Sequence, residues 1–102
     1  MLSLVQMQAA AGQASGLLKA LSHSDRLMLL CQLSQGEFSV SELEKILGIH
    51  QPSLSQQLGI LRQEGLVATR RDGKQMYYRI VSEDALAVLQ VLYQRFCQEG
   101  KK

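Results

Sequence analysis

Residues 39–80 constrain the fold most strongly, because two short helical patterns, a tight turn and a hairpin pattern follow one another there. Ser39 and Glu42 form a capping-box pattern that begins the first helix, and Gly48 ends it because glycine tolerates the left-handed conformation. Pro52 suits the first position of the second helix, where the N–H that proline lacks would have no partner. This order predicts a helix-turn-helix followed by a hairpin.

Both helical patterns have an apolar face, and the second also has a distinctive polar face. The apolar residues recur at helical spacing. They are Leu43, Ile46 and Leu47 in the first helix, and Leu54, Leu58 and Leu61 in the second. The polar face of the second helix carries Ser53, Ser55, Gln56, Gln57 and Arg62. Hydroxyl and amide groups match the donors and acceptors of base edges and phosphates, so this helix is predicted to read DNA.

A basic hairpin pattern follows the second helix. Residues 67–71 and 74–80 have the composition of strands, and Asp72-Gly73 between them is a strong hairpin signal because both loop residues must accept positive φ. The cations Arg70, Arg71 and Lys74 lie at the tip. A cationic tip beside a polar helix indicates contact with phosphates and with the minor groove.

The length of 102 residues predicts one domain over residues 1–102, with the helix-turn-helix at 39–64 and the wing at 66–80. The formal net charge is only +2, so global attraction to nucleic acid is weak. From Arg62 to Arg79, five basic residues against two acidic ones leave +3 in the predicted reading unit. The sequence shows no signal-peptide pattern and no apolar run near the ~20 residues of a membrane span, so a cytoplasmic protein without membrane contact is expected.

Helical segments flank the predicted reading unit on both sides. Residues 4–21 predict a first helix, and Ser22 with Asp25 predicts a capping box before a second. The last helix, residues 83–98, is apolar nearly all round, whereas a surface helix needs one apolar stripe. We therefore expect a homodimer through residues 1–21 and 83–98, with reading helices roughly 34–36 Å apart, one turn of duplex. The predicted fold is a winged helix-turn-helix, mainly α with a small β-hairpin wing, in the order α-α-α-α-β-β-α.

Cys31 and Cys97 are the two thiols of the chain, and the residues alone leave their role open. In an arbitrary cytosolic protein each would be a small buried hydrophobe, and a structural disulfide would be disfavoured. The alternative is a redox pair. Cys97 shares a helical stripe with Leu89 and Tyr93 and is expected to face protein, so a bridge to Cys31 would tie the last helix to the second. No metal or cofactor is predicted, because two thiols without nearby histidines or paired carboxylates fall short of a tetrahedral set.

Other function classes make different predictions. A helix-turn-helix also occurs in proteins that never touch DNA, so a winged-helix module that docks protein is the alternative. Such a module would expose an apolar face on its last helix and would bind DNA without steep salt dependence. An enzyme is not expected, because the sequence has no phosphate loop, no nucleophile with its base and no carboxylate pair suited to a pocket.

In combination, the motifs resemble the ArsR family of winged-helix repressors over nearly the whole chain. The matching segments are Leu21-Ser-His-Ser-Asp-Arg26-Leu27 with Leu30, Ser41-Glu42-Leu43, Gln51-Pro-Ser-Leu-Ser-Gln-Gln-Leu58 with Leu61, Gly65-Leu66-Val67 and Tyr77-Tyr78. The resemblance implies a homodimer that binds double-stranded operator DNA and represses an operon until an inducer weakens binding. Some members of the family act instead as anti-repressors that displace another repressor.

The resemblance also bears on the thiols. Metal-sensing members carry cysteine in the helix at residues 39–47 or histidine in the last helix, and this sequence has neither. Cys31 and Cys97 match in position the thiol pair of the BigR, SqrR and HlyU subgroup. That match implies a dithiol switch in which reactive sulfur species or oxidants bridge the two thiols. Gln57 stands where many members have histidine, which alters the expected operator rather than the fold.

We predict that DNA contacts come from the capped helix, the reading helix and the wing. The expected contact residues are Ser39, Ser41, Gln51, Ser53, Ser55, Gln56, Gln57, Arg62, Arg70, Arg71, Lys74 and Gln75. Within this set, hydroxyl and amide groups are expected at base edges and cations at phosphates.

Overall fold

The computed structural model describes residues 2–97, which form helices and one small antiparallel sheet. The elements in chain order are α1 (Leu4–Leu21), α2 (Ser24–Leu33), β1 (Phe38–Ser39), α3 (Val40–Leu47), α4 (Ser53–Gln63), β2 (Val67–Asp72), β3 (Gln75–Ile80), α5 (Glu83–Leu92) and a π-helical turn (Tyr93–Cys97). Helices α3 and α4 form the helix-turn-helix. The predicted class, mainly α with a small β wing, is confirmed.

The predicted caps of α3 are present. Ser39 Oγ accepts from the Glu42 N–H at 3.1 Å, and the Glu42 carboxylate accepts from the Ser39 N–H at 2.8 Å. Gly48 ends the helix with a φ of 70°, which glycine adopts without the Cβ clash of other residues. Reciprocal capping and the left-handed end explain why so short a helix begins and ends where it does.

The start of α2 differs from the prediction. Ser22 caps the end of α1, since its Oγ donates to the Lys19 carbonyl at 2.8 Å. The N-cap of α2 is His23, whose Nδ1 accepts from the Asp25 N–H at 3.1 Å. The capping box predicted for Ser22 and Asp25 is therefore wrong, because so few residues separate the two helices that Ser22 belongs to the first.

The wing belongs to a three-stranded sheet in the order β1-β3-β2. Strand β1 has only two residues, too few for an alternating pattern, and the sequence did not reveal it. Phe38 pairs with Tyr78 and Ser39 pairs with Tyr77. This pairing joins the start of α3 directly to the wing.

The hairpin loop lies one residue later than predicted. Asp72 pairs with Gln75, so Gly73 and Lys74 are the loop residues. Gly73 has a φ of 64° and Lys74 has no positive φ. A glycine with positive φ at the first loop position is the arrangement of a II′ turn, which needs left-handed backbone at one residue only.

The core lies where α2, α3, α4 and α5 meet the inner face of the sheet. The largest fully buried side chains are Leu29, Leu30, Leu33, Leu43, Leu54, Leu58 and Leu61. The predicted apolar stripe of α4 is thus confirmed. The apolar face predicted for α3 is buried at Leu43, whereas Ile46 on that face is 51% exposed.

The N-terminal part of α1 lies away from this core. Leu4, Val5 and Met7 are 69%, 75% and 53% exposed, whereas Ala20 and Leu21 at the other end of the helix are buried. The Cα radius of gyration is 15.3 Å, above the roughly 13 Å of a compact domain of about 100 residues. The extended α1 accounts for this excess.

The last helix changes its winding before its end. Helix α5 stops at Leu92 and the chain continues as the π-helical turn to Cys97. The predicted end at Gln98 lies outside the described residues. Val91 and Phe96 are 56% and 81% exposed. Across residues 2–97, the structure contains no helix that is both long and apolar enough to cross a bilayer.

Candidate nucleic-acid interface and thiol cleft

The outer face of α4 carries the predicted reading side chains. Ser55, Gln56 and Arg62 are exposed, and Ser53 and Gln57 are half-buried. Leu54, Leu58 and Leu61 anchor the opposite face in the core. The helix is therefore held rigidly from one side and presents hydroxyls, amides and one cation on the other, as a helix in a major groove would.

Arg26 of α2 holds one of these amides. Its Nη1 donates to Gln57 Oε1 at 2.9 Å, its Nε donates to the Ala20 carbonyl at 2.6 Å, and its Nη2 donates to the Lys19 carbonyl at 3.2 Å. A guanidinium has donors only, so the oxygen of Gln57 must face Arg26 and the NH₂ group must face away. The sequence did not reveal this role, because nothing near Arg26 marks its partner 31 positions away.

The side-chain amide of Gln51, like that of Gln57, has its oxygen engaged within the protein. Its Oε1 accepts from the Ser55 N–H at 3.0 Å and so satisfies one free donor at the start of α4. Pro52 at the N-cap makes no side-chain cap of its own. Gln51 and Gln57 thus both turn their amide oxygens into the protein, which leaves the NH₂ donors for an acceptor outside it.

The predicted contacts at the start of α3 divide into buried and exposed groups. Ser39 is only 2% exposed and its hydroxyl serves the helix cap, so its side chain has no surface for DNA. Ser41 is exposed and lies 3.4 Å from Gln75 Oε1, to which its Oγ donates. This contact joins α3 to the edge of the wing and brings the predicted Ser41 and Gln75 together.

Arg70 is tied into the protein. Its Nη2 lies 2.8 Å from Glu37 Oε1, and its guanidinium lies 4.7 Å from the centre of the Tyr77 ring. The hydrogen bond to Glu37 raises the pKa of Arg70. Arg71 and Lys74 are exposed and make no ion pair within residues 2–97. The open cations of the wing are therefore Arg71 and Lys74.

Cys31 and Cys97 line the same cleft. Cys31 lies on α2 and Cys97 ends the π-helical turn, and both are free and exposed. The cleft has a volume of about 700 Å³. The exposure of both thiols counts against the alternative that each is a small buried hydrophobe, and the expectation that Cys97 faces protein rather than water is wrong. The structure brings together two accessible thiols that are 66 positions apart in the chain.

The thiolate of Cys31 is disfavoured by its surroundings. Partial burial against the cleft walls raises the pKa of Cys31, and the charge of a neighbouring Cys97 thiolate raises it further. The second cause requires the two sulfurs to be near enough to repel as anions. The raised pKa of Cys31 leaves a smaller fraction of thiolate at neutral pH than an ordinary thiol has.

The described part of the chain offers no metal centre: residues 2–97 contain no group of three or more histidine, cysteine, aspartate or glutamate side chains that could hold an ion. His50 lies 3.3 Å from the Glu44 carboxylate at the surface, in the turn between α3 and α4. That pair is exposed and has no third ligand nearby.

Comparison with known proteins identifies related sequences over nearly the whole chain. Residues 23–69 match the model of the family described as bacterial regulatory protein, arsR family. The biofilm growth-associated repressor of Xylella fastidiosa strain Temecula1 is 51% identical over 96 residues, which cover 94% of this chain and 84% of that protein. The transcriptional activator HlyU of Vibrio cholerae serotype O1 is 37% identical over 100 residues, covering 98% of this chain and 93% of that one.

A solved structure has the same architecture. Reduced HlyU from Vibrio cholerae N16961 superimposes with a TM-score of 0.89 at 38% sequence identity, and the match covers 93% of this chain and 100% of that chain. Identity at this level, together with this coverage, relates the two by sequence as well as by fold.

Proposed function

Since the chain belongs to the ArsR family of bacterial transcription regulators, we propose that it is a homodimeric repressor whose operator affinity is set by a Cys31–Cys97 dithiol switch. The observation that carries this proposal is the shared cleft of the two thiols. The inducer is a reactive sulfur species or an oxidant. The partner is double-stranded operator DNA.

The reading step uses the outer face of α4 and the wing. In the dimer, each α4 lies in a major groove, and Ser53, Ser55 and Gln56 meet base edges. Gln51 and Gln57 contribute NH₂ donors, because their oxygens are engaged within the protein. Phosphate contacts come from Arg62, Arg71 and Lys74. Arg70, Ser41 and Gln75 support the wing and lie beside these contacts.

The switching step joins the two thiols in one covalent bridge, and the simplest bridge is a disulfide. With a peroxide, one thiolate becomes a sulfenic acid as water leaves, and the second thiolate displaces a further water to give the disulfide. With a persulfide, the first thiolate takes the outer sulfur and releases a thiolate, and the second displaces hydrosulfide. In each case the two cysteines together lose two electrons, which the inducer accepts.

The bridge acts on DNA binding through α2. Cys31 and Arg26 lie on this helix, and Arg26 contacts Gln57 on the reading helix. Drawing α2 and the π-helical turn together therefore strains the helix that positions α4. A change of roughly 1–3 kcal/mol in the relative stability of the DNA-competent geometry suffices for regulation.

The test combines intact mass with a binding assay. Duplexes enriched by in vitro selection supply the DNA, and anisotropy measures affinity before and after treatment with polysulfide or peroxide. We expect treated wild type to lose two hydrogens, with any sulfur atoms retained in the bridge adding whole multiples of the sulfur mass, and to lose affinity. Cys31→Ser and Cys97→Ser should keep their affinity, and Ser34→Ala, which removes a hydroxyl that donates to the Cys31 carbonyl and leaves both thiols in place, should respond as wild type. A Cys31→Ser protein that loses affinity on treatment would rule out the switch.

A second candidate is a regulator that activates indirectly by displacing another repressor. The observation in its favour is the 37% identical relative that is named a transcriptional activator. In vitro transcription separates the two. A repressor lowers transcript from its operator when added alone, whereas an anti-repressor raises transcript only when a competing repressor occupies the site. A winged-helix module that docks protein would bind selected duplexes without steep dependence on salt.

A further inference from the structure

We propose that the cleft around Cys31 and Cys97 selects uncharged, apolar organic polysulfides as its oxidants over charged carriers of the same sulfur chain. This inference rests on the proposed function and specifies the inducer class for that site. Two properties of the cleft carry it: the chemistry of its walls and its size.

The walls of the cleft are almost entirely apolar. Leu27, Met28, Leu89, Leu92, Tyr93 and Phe96 surround the two thiols, and the polar lining residues are the amides Gln32 and Gln35. Among residues 2–97, none that lines the cleft carries a charge. A second, smaller recess also borders both thiols and is likewise lined without charged side chains. A carboxylate or ammonium that follows the sulfur chain inward would lose hydration without gaining a partner.

The size of the cleft suits a small organic molecule. Its volume of about 700 Å³ lies within the roughly 300–1,000 Å³ of typical small-molecule sites. Alkyl groups attached to a sulfur chain would bury methylenes against leucine and aromatic side chains, which favours their binding. Tyr93 and Phe96 lie on the same π-helical turn as Cys97 and line the cleft together with it.

The reaction balances with an apolar trisulfide as oxidant. The first thiolate attacks an outer sulfur of R–S–S–S–R, forms a mixed disulfide with one RS group and releases RSS⁻. The second thiolate attacks the cysteine sulfur of that mixed disulfide, forms the Cys31–Cys97 bond and releases RS⁻. Two cysteine thiols and RSSSR thus become one disulfide, RSH and RSSH, and the sulfur chain accepts two electrons.

The test compares dipropyl trisulfide with glutathione trisulfide on the reduced full-length protein. Each rate of bridge formation, followed by intact mass, is divided by the rate at which N-acetylcysteine amide, a neutral thiol, consumes the same reagent. This division removes intrinsic differences between the leaving groups. We expect the corrected rate to favour the propyl reagent by about tenfold or more, because the glutathione halves carry charges into an uncharged cleft.

Two lysine substitutions, one in the cleft and one outside it, test whether the cleft causes the selectivity. Met28 lines the cleft and is 41% exposed, and Ile46 lies outside it on α3 and is 51% exposed. Met28→Lys should reduce the propyl preference severalfold, because the ammonium compensates the anionic reagent, and Ile46→Lys should leave it unchanged. Taking the ratio of two reagents on one protein cancels any change in thiolate fraction.

The outcomes separate this inference from the proposed function. Bridges that form equally fast with both reagents after correction overturn the selectivity and leave the switch intact. The selectivity of the cleft is also overturned if Ile46→Lys lowers the preference as much as Met28→Lys does. If neither reagent bridges the thiols of folded wild type, this inference fails, whereas the proposed switch fails only if polysulfide and peroxide also leave the thiols unbridged.

Discussion

The thiol of Cys31 is accessible to solvent and has a raised pKa. It is exposed on α2, yet burial against the cleft walls and the nearby Cys97 both raise its pKa. An exposed thiol with a raised pKa reacts slowly with alkylating agents free in solution, and reacts faster with an inducer that is bound beside it. The arrangement favours an inducer that binds before it reacts, since binding compensates for a small thiolate fraction.

The two causes of the raised pKa can be separated by mutation. Rates of iodoacetamide alkylation at Cys31, read by peptide mass spectrometry against pH, should have a midpoint above that of an ordinary thiol. Cys97→Ser removes the neighbouring charge and should lower the midpoint, but burial should keep it above the ordinary value. Ser34→Ala removes only a hydroxyl that donates to the Cys31 carbonyl and should not move the midpoint. A midpoint that is the same in wild type and Cys97→Ser would mean that the thiols do not interact.

Arg26 stabilises the corner between α1 and α2 as well as the reading helix. Arg26→Leu removes its bonds to Lys19, Ala20 and Gln57. The free energy of unfolding in urea should fall by about 1–3 kcal/mol, because hydrogen bonds to a charged donor are lost in a part-buried place. Arg79→Leu, which changes an exposed arginine on β3, should stay within about 0.5 kcal/mol of wild type. If Arg26→Leu and Arg79→Leu lower the free energy of unfolding equally, Arg26 does not stabilise this corner.

The same arginine bears on which base Gln57 can recognise. With its oxygen held by Arg26, the amide offers a donor, which suits the acceptors of guanine or thymine. Selection from random duplexes with wild type should therefore enrich guanine or thymine at one position. Selection with Gln57→Ala should show no base preference at that same position. Arg26→Leu frees the amide oxygen, so adenine, which needs donor and acceptor together, should join the selected bases. Adenine already dominant with wild type would contradict this orientation.

Among the secondary-structure elements, the wing divides its cations between two tasks. Arg70 is held by Glu37, in the segment before β1, and by Tyr77 on β3. Arg71 and Lys74 extend beyond that pair without an ion-pair partner in the described chain. Charge that is already compensated attracts phosphate less, so the three tip cations should differ in their contribution to DNA binding.

The salt dependence of binding measures this difference. Arg71→Ala and Lys74→Ala should each reduce the slope of log affinity against log salt by about 0.9, the value for one phosphate contact. Arg70→Ala should reduce it by less, because Glu37 already neutralises part of its charge. Lys19→Ala, on α1, serves as the control and should leave the slope unchanged. If Lys19→Ala reduces the salt slope as much as Arg71→Ala does, the cations of the wing have no special role in phosphate contact.

Local signals in the sequence were sufficient for most elements and failed where contacts are distant. The bounds of α1, the capping box of α3, the buried stripe of α4 and the wing all follow from periodicity, caps and a turn dipeptide. Strand β1 was missed because two residues show no period, and the hairpin loop was misplaced by one residue because Asp72 fits either a loop or a strand end. The Arg26–Gln57 contact and the exposure of Cys31 depend on packing between elements, which no local pattern encodes.

For the whole protein, the exposed apolar residues concentrate on the two terminal helices. Leu4, Val5 and Met7 on α1 and Val91 on α5 are more than half exposed. A monomeric protein rarely leaves so much apolar surface on two helices uncovered. Added to a principal extent of 50 Å and a large radius of gyration, this distribution favours a second copy of the chain as the cover.

A charge on α1 tests that inference. Val5→Glu places a carboxylate at a 75% exposed position, so the protomer should keep its circular dichroism spectrum while the dimer dissociates in sedimentation velocity. Ile46→Glu, at a 51% exposed position on α3, should leave the dimer intact. Because two linked reading heads bind far more tightly than one, Val5→Glu should lose roughly 10²–10⁴-fold in affinity for a palindromic duplex and keep the weak binding of a half-site. Wild type that sediments as a monomer at micromolar concentration, yet binds the palindrome tightly, would show that DNA rather than these helices brings the two copies together.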